Sequence, residues 1–169
     1  MVDPLILTLD LGADQARYDD LRDAHFPPRD YRLPAHLTLF HKLPGEAEEA
    51  IAAHLGLVAK AAAPLPLDFA ELIPLGSSGV AVRVRSAAAM ALRAGLAAHW
   101  TDALAPQDRG FRPHVTIQNK AAPEVASATM AALAEGFVAH EGASPALLLW
   151  RYRGGPWEAA GRFAFAKTA

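Results

Sequence analysis

The sequence predicts an α+β fold, in which helices accompany antiparallel strands. Short apolar, strand-like runs alternate along the chain with Ala-rich stretches whose apolar residues recur at helical spacing. Two pairs of strand-like runs are separated by turn-forming residues, at 76–79 and 154–156, and both predict a hairpin. Helices mixed with hairpins are typical of the α+β class.

The first 60 residues predict two strands and two helices. The strands are expected at 5–9 and 37–40, and the helices at 13–25 and 46–60. In the second helix Ile51, Leu55 and Val58 share one face, and acidic residues occupy the first turn, where they favour the helix dipole.

The rest of the chain predicts a hairpin, two helices around a strand, and a terminal hairpin. The expected strands are residues 66–75, 80–85, 115–118, 147–152 and 157–165. Ser86 is placed to cap a helix that runs to about residue 104. Pro123 suits the first turn of a helix over 123–137.

Composition excludes several classes of protein. The 169 residues contain no Cys, which excludes disulfide scaffolds, thiolate nucleophiles, Cys-ligated zinc and iron–sulfur clusters. The length suits one domain over 1–169. The N-terminal apolar run is too short for a signal peptide, and no stretch has the length of a membrane span. We therefore expect a cytoplasmic protein that does not bind a membrane.

The charge distribution indicates a small anionic ligand rather than a general nucleic-acid coat. The formal net charge is −2, and non-specific nucleic-acid affinity comes mainly from neutralised phosphates. Basic residues nevertheless collect in the second half, where Arg109, Arg112 and Lys120 face only Asp108 nearby. This pattern leaves a long RNA track unsupported.

One motif occurs twice. Residues 36–39 read His-Leu-Thr-Leu and residues 114–117 read His-Val-Thr-Ile, and a proline precedes each histidine closely. In a strand, period-two alternation places the His and Thr side chains on one face and the aliphatic side chains on the other. Composition alone would produce such a pair in roughly one chain in a few hundred.

The paired motif suits phosphoryl transfer without a metal. Two imidazoles on opposite sides of a phosphorus can act as general base and general acid, because histidine titrates near neutral pH. Two Thr hydroxyls can donate hydrogen bonds to the non-bridging oxygens. Such a pair of histidines predicts a bell-shaped pH–rate profile.

With both motifs, 78 residues apart, and the C-terminal sequence Trp-Arg-Tyr at 150–152 and Gly-Gly-Pro-Trp at 154–157, the chain resembles the 2H phosphoesterase superfamily over nearly its whole length. Within it, the chain is similar to the bacterial 2′-5′ RNA ligase-like, or RNA 2′,3′-cyclic phosphodiesterase, proteins. The resemblance implies a bilobal, pseudo-twofold fold with antiparallel sheets lining a central groove and helices outside.

The resemblance also implies an activity, namely metal-independent opening of 2′,3′-cyclic phosphates to 2′-phosphates or reversible 2′-5′ RNA joining. Carried over by position, His36 and His114 are the acid/base pair, and Thr38 and Thr116 hold the phosphate. The chain departs from the family's pattern after each motif, with Phe-His-Lys at 40–42 and Gln-Asn at 118–119.

Six further side chains are candidates for substrate binding, and each also has a structural interpretation. Trp150 and Tyr152 could stack a nucleobase or pack in the core. Strand alternation puts His41 on the face opposite His36 unless the strand has ended. The other three candidates are Phe111, Arg112 and Lys120. Phe111 could line a base pocket or fill the junction between lobes, and the two cations could meet substrate or only solvent.

Three functions compete at this point. The leading hypothesis is a cyclic phosphodiesterase that acts on RNA ends or cyclic nucleotides. The second is an RNA-binding or 2′-5′ RNA-joining factor in which hydrolysis is incidental. A metal site on His36 and His114 is disfavoured because neither motif contains Asp or Glu. We expect no cofactor, no metal, no protein partner and a monomer, and the residues leave open which histidine is the base.

Overall fold

The structure, a computed structural model, describes residues 1–166 and contains eight strands. They are β1 (Leu5–Leu9), β2 (Leu37–Leu43), β3 (Leu65–Leu75), β4 (Gly79–Arg85), β5 (His114–Gln118), β6 (His140–Ser144), β7 (Ala146–Tyr152) and β8 (Trp157–Ala164). All neighbouring strands are antiparallel, and they form one sheet in the order β6-β3-β4-β5-β2-β1-β7-β8. The α+β prediction is confirmed.

Four α-helices connect the strands: α1 (Gln15–His25), α2 (Glu48–Lys60), α3 (Ala87–His99) and α4 (Pro123–Ala134). The predicted cap of α3 is present, since the Ser86 hydroxyl accepts a hydrogen bond of 3.0 Å from the Ala89 amide. The helix ends at His99, earlier than the sequence predicts, and a 3-10 helix over Thr101–Ala103 follows it.

Sequence patterning misses β6, which pairs with β3 at the edge of the sheet. Its five residues, His-Glu-Gly-Ala-Ser, have neither the β-branched residues nor the apolar alternation that indicates a strand. Its position is therefore set by tertiary pairing rather than by local preference.

The sheet is pseudo-symmetric about the boundary between β2 and β5. The unit β1–α1–β2–α2 on one side corresponds to β4–α3–β5–α4 on the other, and each unit places its His-x-Thr motif on the strand next to the boundary. In the described residues the two central strands share one registered pair, Leu37 with Val115. The bilobal, pseudo-twofold architecture expected from the resemblance is thus confirmed, and the two lobes share one continuous sheet.

Two buried arginines join the halves. Arg22, on α1, donates a hydrogen bond of 2.8 Å to the Thr116 carbonyl of β5. Arg93, on α3, donates one of 3.2 Å to the Leu39 carbonyl of β2. The helix of each half therefore holds the motif strand of the other half, and the aliphatic faces of both motifs lie in the shared core.

Candidate functional site

A groove of about 410 Å³ brings the two motifs together. Its lining consists of Ile6, His36, Thr38, His41, Leu75, Gly76, His114, Thr116, Asn119 and Trp157. Hollows of about 480 Å³ and 600 Å³ elsewhere border α4, are mostly apolar, and are lined by none of the motif histidines and threonines. The groove is therefore where the histidines and threonines of both motifs converge.

The two motif histidines are held in the same way. Nδ1 of His36 lies 2.7 Å from the Pro34 carbonyl, and Nδ1 of His114 lies 2.7 Å from the Arg112 carbonyl. A carbonyl oxygen can only accept, so Nδ1–H is the donor in both cases. When neutral, each ring therefore carries its free lone pair on Nε2, the nitrogen available to a substrate.

The surroundings of the two rings differ. The His36 ring packs against the Trp157 indole, with 4.5 Å between ring centroids. Burial, together with the positive charge of Arg22, lowers the pKa of His36 to about 4, although its hydrogen bond to Pro34 acts in the opposite direction. His36 is therefore neutral at pH 7. Among the ring contacts within residues 1–166, none involves His114.

A β-bulge lies just after the threonine of each motif. In β2 the register passes from Thr8–Thr38 to Leu7–Phe40, and in β5 it passes from Ala81–Thr116 to Val80–Gln118, so each motif strand has one extra residue at this point. The extra residue reverses the alternation of the side chains that follow it, and in β2 a second register shift comes between Phe40 and Leu43.

The bulges explain where the residues after the motifs point. His41 lines the groove, so the opposite face expected from strict alternation is wrong for this residue. Asn119, five residues after His114 as His41 is five after His36, lines the groove as well. Gln118 is turned to the helices instead, where its amide donates a hydrogen bond of 2.8 Å to the Thr129 hydroxyl.

His41 is oriented by a carboxylate from the other half of the chain. Asp108 is almost fully buried; it accepts a hydrogen bond of 3.0 Å from His41 Nδ1 and bonds of 2.8 Å from the backbone amides of His41 and Lys42. Burial alone would raise the pKa of Asp108, but these three hydrogen bonds outweigh it and hold the pKa below its usual value.

The aromatic candidates lie outside the groove lining. The Trp150 indole N–H donates a hydrogen bond of 3.0 Å to the Thr8 hydroxyl, and its ring contacts Trp157 at 5.9 Å between centroids. Trp150 therefore packs against Trp157, the residue whose ring contacts His36. Tyr152 is exposed at the end of β7. Phe111 packs 5.4 Å from the Arg93 guanidinium and borders a neighbouring hollow rather than the groove.

The cationic candidates also lie beyond the groove. The Arg112 side chain is exposed and borders the same hollow as Phe111. Lys120 is exposed in a turn with φ of 60°, where its amide donates to Asn119. Sequence reasoning missed Trp157, Asn119 and Asp108 as neighbours of the site; among these only Trp157 carried a signal, since it ends the C-terminal segment of the resemblance.

Two further observations concern the described part of the chain, residues 1–166. It contains no cluster of three or more His, Asp or Glu side chains placed to hold a metal ion. None of its helices combines the length and the apolar character required to cross a bilayer.

Comparison with known proteins places the fold. The family model of the 2′-5′ RNA ligase superfamily matches residues 11–156. The structure is similar to TT0787 of Thermus thermophilus, with TM-score 0.70, 17% identity and coverage of 98% of this chain and 100% of that one. It is similar to E. coli LigT complexed with 3′-AMP, with TM-score 0.64, 20% identity and coverage of 99% and 100%.

A third solved structure, described as a phosphoesterase, has TM-score 0.65, 20% identity and coverage of 98% and 99%. A comparison with curated proteins finds no match. The structural likenesses establish the fold, and the family model, which covers both motifs, establishes the lineage. The chain belongs to the 2′-5′ RNA ligase superfamily of 2H phosphoesterases.

Proposed function

We propose that this protein is a metal-independent phosphodiesterase that opens 2′,3′-cyclic phosphates, on RNA ends or nucleotides, to 2′-phosphates. The observation that carries the proposal is the convergence of two identically held histidines and two motif threonines on one groove. A groove of about 410 Å³ is within the range of small-ligand sites. The structural neighbour E. coli LigT has been crystallised with 3′-AMP, ATP, NADP⁺ and phosphate, which favours a nucleotide ligand here as well.

In the proposed reaction His36 is the base and His114 the acid. His36 is neutral at pH 7, and its Nε2 takes a proton from water as the water oxygen bonds to phosphorus. The bond from phosphorus to the 3′ oxygen breaks, and protonated His114 donates its Nε2 proton to that oxygen, which leaves the 2′-phosphate. A bound phosphate anion raises the pKa of His36 from about 4 towards the range in which a base is effective.

The threonines stabilise the charge that develops on phosphorus. Thr38 and Thr116 lie two residues after their histidines on the groove face, and each hydroxyl can donate to a non-bridging oxygen. His41 and Asn119, turned into the groove by the bulges, are placed to contact the same phosphate or the sugar.

The test uses protein treated with EDTA and 2′,3′-cyclic AMP, with the product identified by phosphorus NMR. The wild type is expected to form the 2′-phosphate, and His36→Ala and His114→Ala are each expected to lose at least about a hundredfold in kcat/KM, since general acid or base catalysis contributes roughly 10²–10⁴-fold.

His99→Ala is the matched control, because His99 lies on the surface at the end of α3. Equal rates in all four proteins, or a rate that depends on added metal, would contradict the proposal.

RNA joining is the second candidate, favoured by the superfamily to which the chain belongs. Joining uses the same chemistry with a 5′-hydroxyl end in place of water: its oxygen bonds to phosphorus, the bond from phosphorus to the 3′ oxygen breaks, and a 2′-5′ linkage results. Incubation of two oligonucleotides, one with a 2′,3′-cyclic end and one with a 5′-hydroxyl, separates the candidates: a longer product supports joining, and only 2′-phosphate ends support hydrolysis.

A further inference from the structure

We propose that His41 is a third working histidine of the groove, which in its protonated form binds an oxygen of the substrate phosphate, and that Asp108 is its positioning residue. The inference rests on the proposed function, in which His36 and His114 perform the acid/base chemistry. It deepens that function by assigning the group that attracts and holds the anion while the proton transfers take place.

The groove has to attract an anion with little fixed positive charge of its own. Among the described residues 1–166, its lining includes neither Lys nor Arg, so the charge must come from histidines. His36 is neutral at pH 7, and in the proposed reaction His114 gives up its proton. His41 is therefore the histidine of this lining that can remain positively charged from substrate binding to product release.

The hydrogen bonding of the His41 ring leaves one nitrogen open to a ligand. Nδ1 lies 3.0 Å from Asp108 Oδ1, and because a carboxylate oxygen can only accept, Nδ1–H is the donor. Nε2 is left on a side chain that lines the groove and is 56% exposed. The oxygens of an ionised phosphodiester can only accept as well, so His41 can bind them only when Nε2 is protonated.

Asp108 stabilises that protonated state. Burying a carboxylate costs free energy unless the charge is compensated, and Asp108 is only 1% exposed. Within residues 1–166, His41 is the only side chain that forms an ion pair with it. A buried negative charge in contact with Nδ1–H favours the imidazolium over the neutral ring.

Arg93 fixes the carboxylate relative to the strand that carries His41. Asp108 ends the short 3-10 helix Pro106–Asp108. The Arg93 guanidinium donates hydrogen bonds both to the Asp108 carbonyl and, at 3.2 Å, to the Leu39 carbonyl of β2. One buried side chain therefore holds the 3-10 helix and β2 together, and the Asp108 carboxylate stays in register with the His41 ring.

The other half of the molecule has no such cation at the equivalent place. Asn119, five residues after His114, occupies that place in the groove, and its side-chain oxygen accepts a hydrogen bond of 3.2 Å from the Ser78 hydroxyl. An amide does not take up a proton near neutral pH. The positive charge that meets the anion beside the acid/base pair is therefore supplied from the His36 half.

The surroundings of His41 allow its charge to be tested by pH. Between pH 5.5 and pH 7.5 the lysine and arginine remain charged, Asp108 stays ionised and His36 stays neutral. His114 is present in every variant, so its contribution cancels when variants are compared. The titratable and charged groups around the ring are Asp108 on the 3-10 helix, Arg93 on α3, His114 on β5, and His36 and Lys42 on β2.

The test measures the Kd of sulfate by calorimetry at pH 5.5 and pH 7.5. Sulfate keeps its charge over this range and does not react, so its affinity reports the charge of the groove. His41→Asn retains an amide N–H near the position of Nδ1 and removes Nε2 with its charge. It is expected to raise the Kd about tenfold at pH 5.5, because a charge-assisted hydrogen bond is lost, and to raise it less at pH 7.5.

Asp108→Asn should show the opposite dependence on pH. The variant removes the negative charge that favours the imidazolium but leaves His41 in place. Its Kd for sulfate should rise more at pH 7.5 than at pH 5.5, where the ring is protonated without the help of the carboxylate. His99→Asn, on the surface at the end of α3, is the matched control and should bind sulfate as the wild type does at both pH values.

Sulfate binding does not require turnover, which separates this proposal from the proposed function. Binding that depends on His41 in a protein that does not open 2′,3′-cyclic AMP would overturn the proposed function and leave the role of His41 standing. Turnover by a wild type that binds no sulfate, or that binds it no better than His41→Asn, would overturn the role of His41 alone. A loss in Asp108→Asn that is equal at both pH values would show that Asp108 does not act through the charge of His41.

Discussion

The two halves of the molecule build the same motif from the same backbone unit but surround it differently. Each holds its histidine by an Nδ1 hydrogen bond of 2.7 Å to the carbonyl two residues earlier. In the first half, Trp157 covers the ring and Arg22 lies near it. In the second half, an arginine-lined hollow adjoins the strand. The repeated backbone sets the geometry, and the unrepeated side chains differentiate the roles.

The threonines provide the largest test of whether the halves are equivalent. Thr38→Val and Thr116→Val keep the β-branched shape that suits a strand and remove only the hydroxyl. If both hydroxyls stabilise the transition state, each variant should lose about a hundredfold in kcat/KM, because one donor to a developing oxyanion contributes roughly 10²–10³-fold.

Steady-state kinetics with 2′,3′-cyclic AMP measures these losses, and Thr101→Val at the surface serves as the control. A full loss in one variant with no loss in the other would mean that only one half holds the phosphate. The two halves of the groove would then not have equivalent chemical roles, although their backbones would still be related by the pseudo-twofold symmetry.

The two buried arginines provide the second test of whether the halves are equivalent. The variant of the arginine in one half is the control for the variant of the arginine in the other. Arg22→Met and Arg93→Met both remove hydrogen bonds to buried carbonyls, and each should lower the free energy of unfolding by about 2 kcal/mol. Burial is the main cause of the lowered pKa of His36, and of the two arginines only Arg22 adds to it through its positive charge. Its removal therefore raises that pKa from about 4 towards the ordinary value of 6.5.

The pH dependence of kcat/KM distinguishes the two variants. A base is lost when it is protonated, so activity falls as the pH drops through the pKa of His36, and Arg22→Met moves that acidic limb to higher pH. The ratio of activity at pH 5 to activity at pH 7 should fall in Arg22→Met and remain as in the wild type in Arg93→Met. An unmoved limb in Arg22→Met would remove His36 from the role of base.

Much of this architecture could be predicted from the sequence, because the motif strands and helices carry strong local patterns. Three of these features are the His-x-Thr repeat, the Ser86 cap and the hairpin at residues 76–79. Each depends only on residues that are close together in sequence, so the sequence predicts it. Strand β6 and the bulges could not be predicted, since pairing partners distant in the chain set them. Trp157 lies 121 residues beyond His36 in the chain, and Asp108 lies 67 residues beyond His41. Residue spacing does not predict contacts between side chains that far apart in sequence.

The segments just after the two motifs provide the smallest and most local test of the comparison. After the first motif, the buried Asp108 carboxylate accepts three hydrogen bonds from His41 and Lys42. After the second, Asn119 is tied by the Ser78 hydroxyl at 3.2 Å. Asp108→Asn loses a charge-assisted acceptor and should lower the free energy of unfolding by about 1–2 kcal/mol at pH 7, whereas Ser78→Ala should lower it by only about 0.5 kcal/mol.

Thermal unfolding at two pH values measures the free energy of unfolding of each variant and shows how the loss relative to the wild type changes with pH. The folded-state pKa of Asp108 lies below its ordinary value of 3.8, so the carboxylate stabilises the fold above that pH, and the stabilisation is lost as the pH falls through the folded-state pKa. The difference in free energy of unfolding between wild type and Asp108→Asn should therefore become smaller below about pH 4. The corresponding difference for Ser78→Ala should not change with pH. A gap for Asp108→Asn that stayed constant down to pH 3 would mean that the shape of the side chain, rather than its charge, holds His41 at the groove.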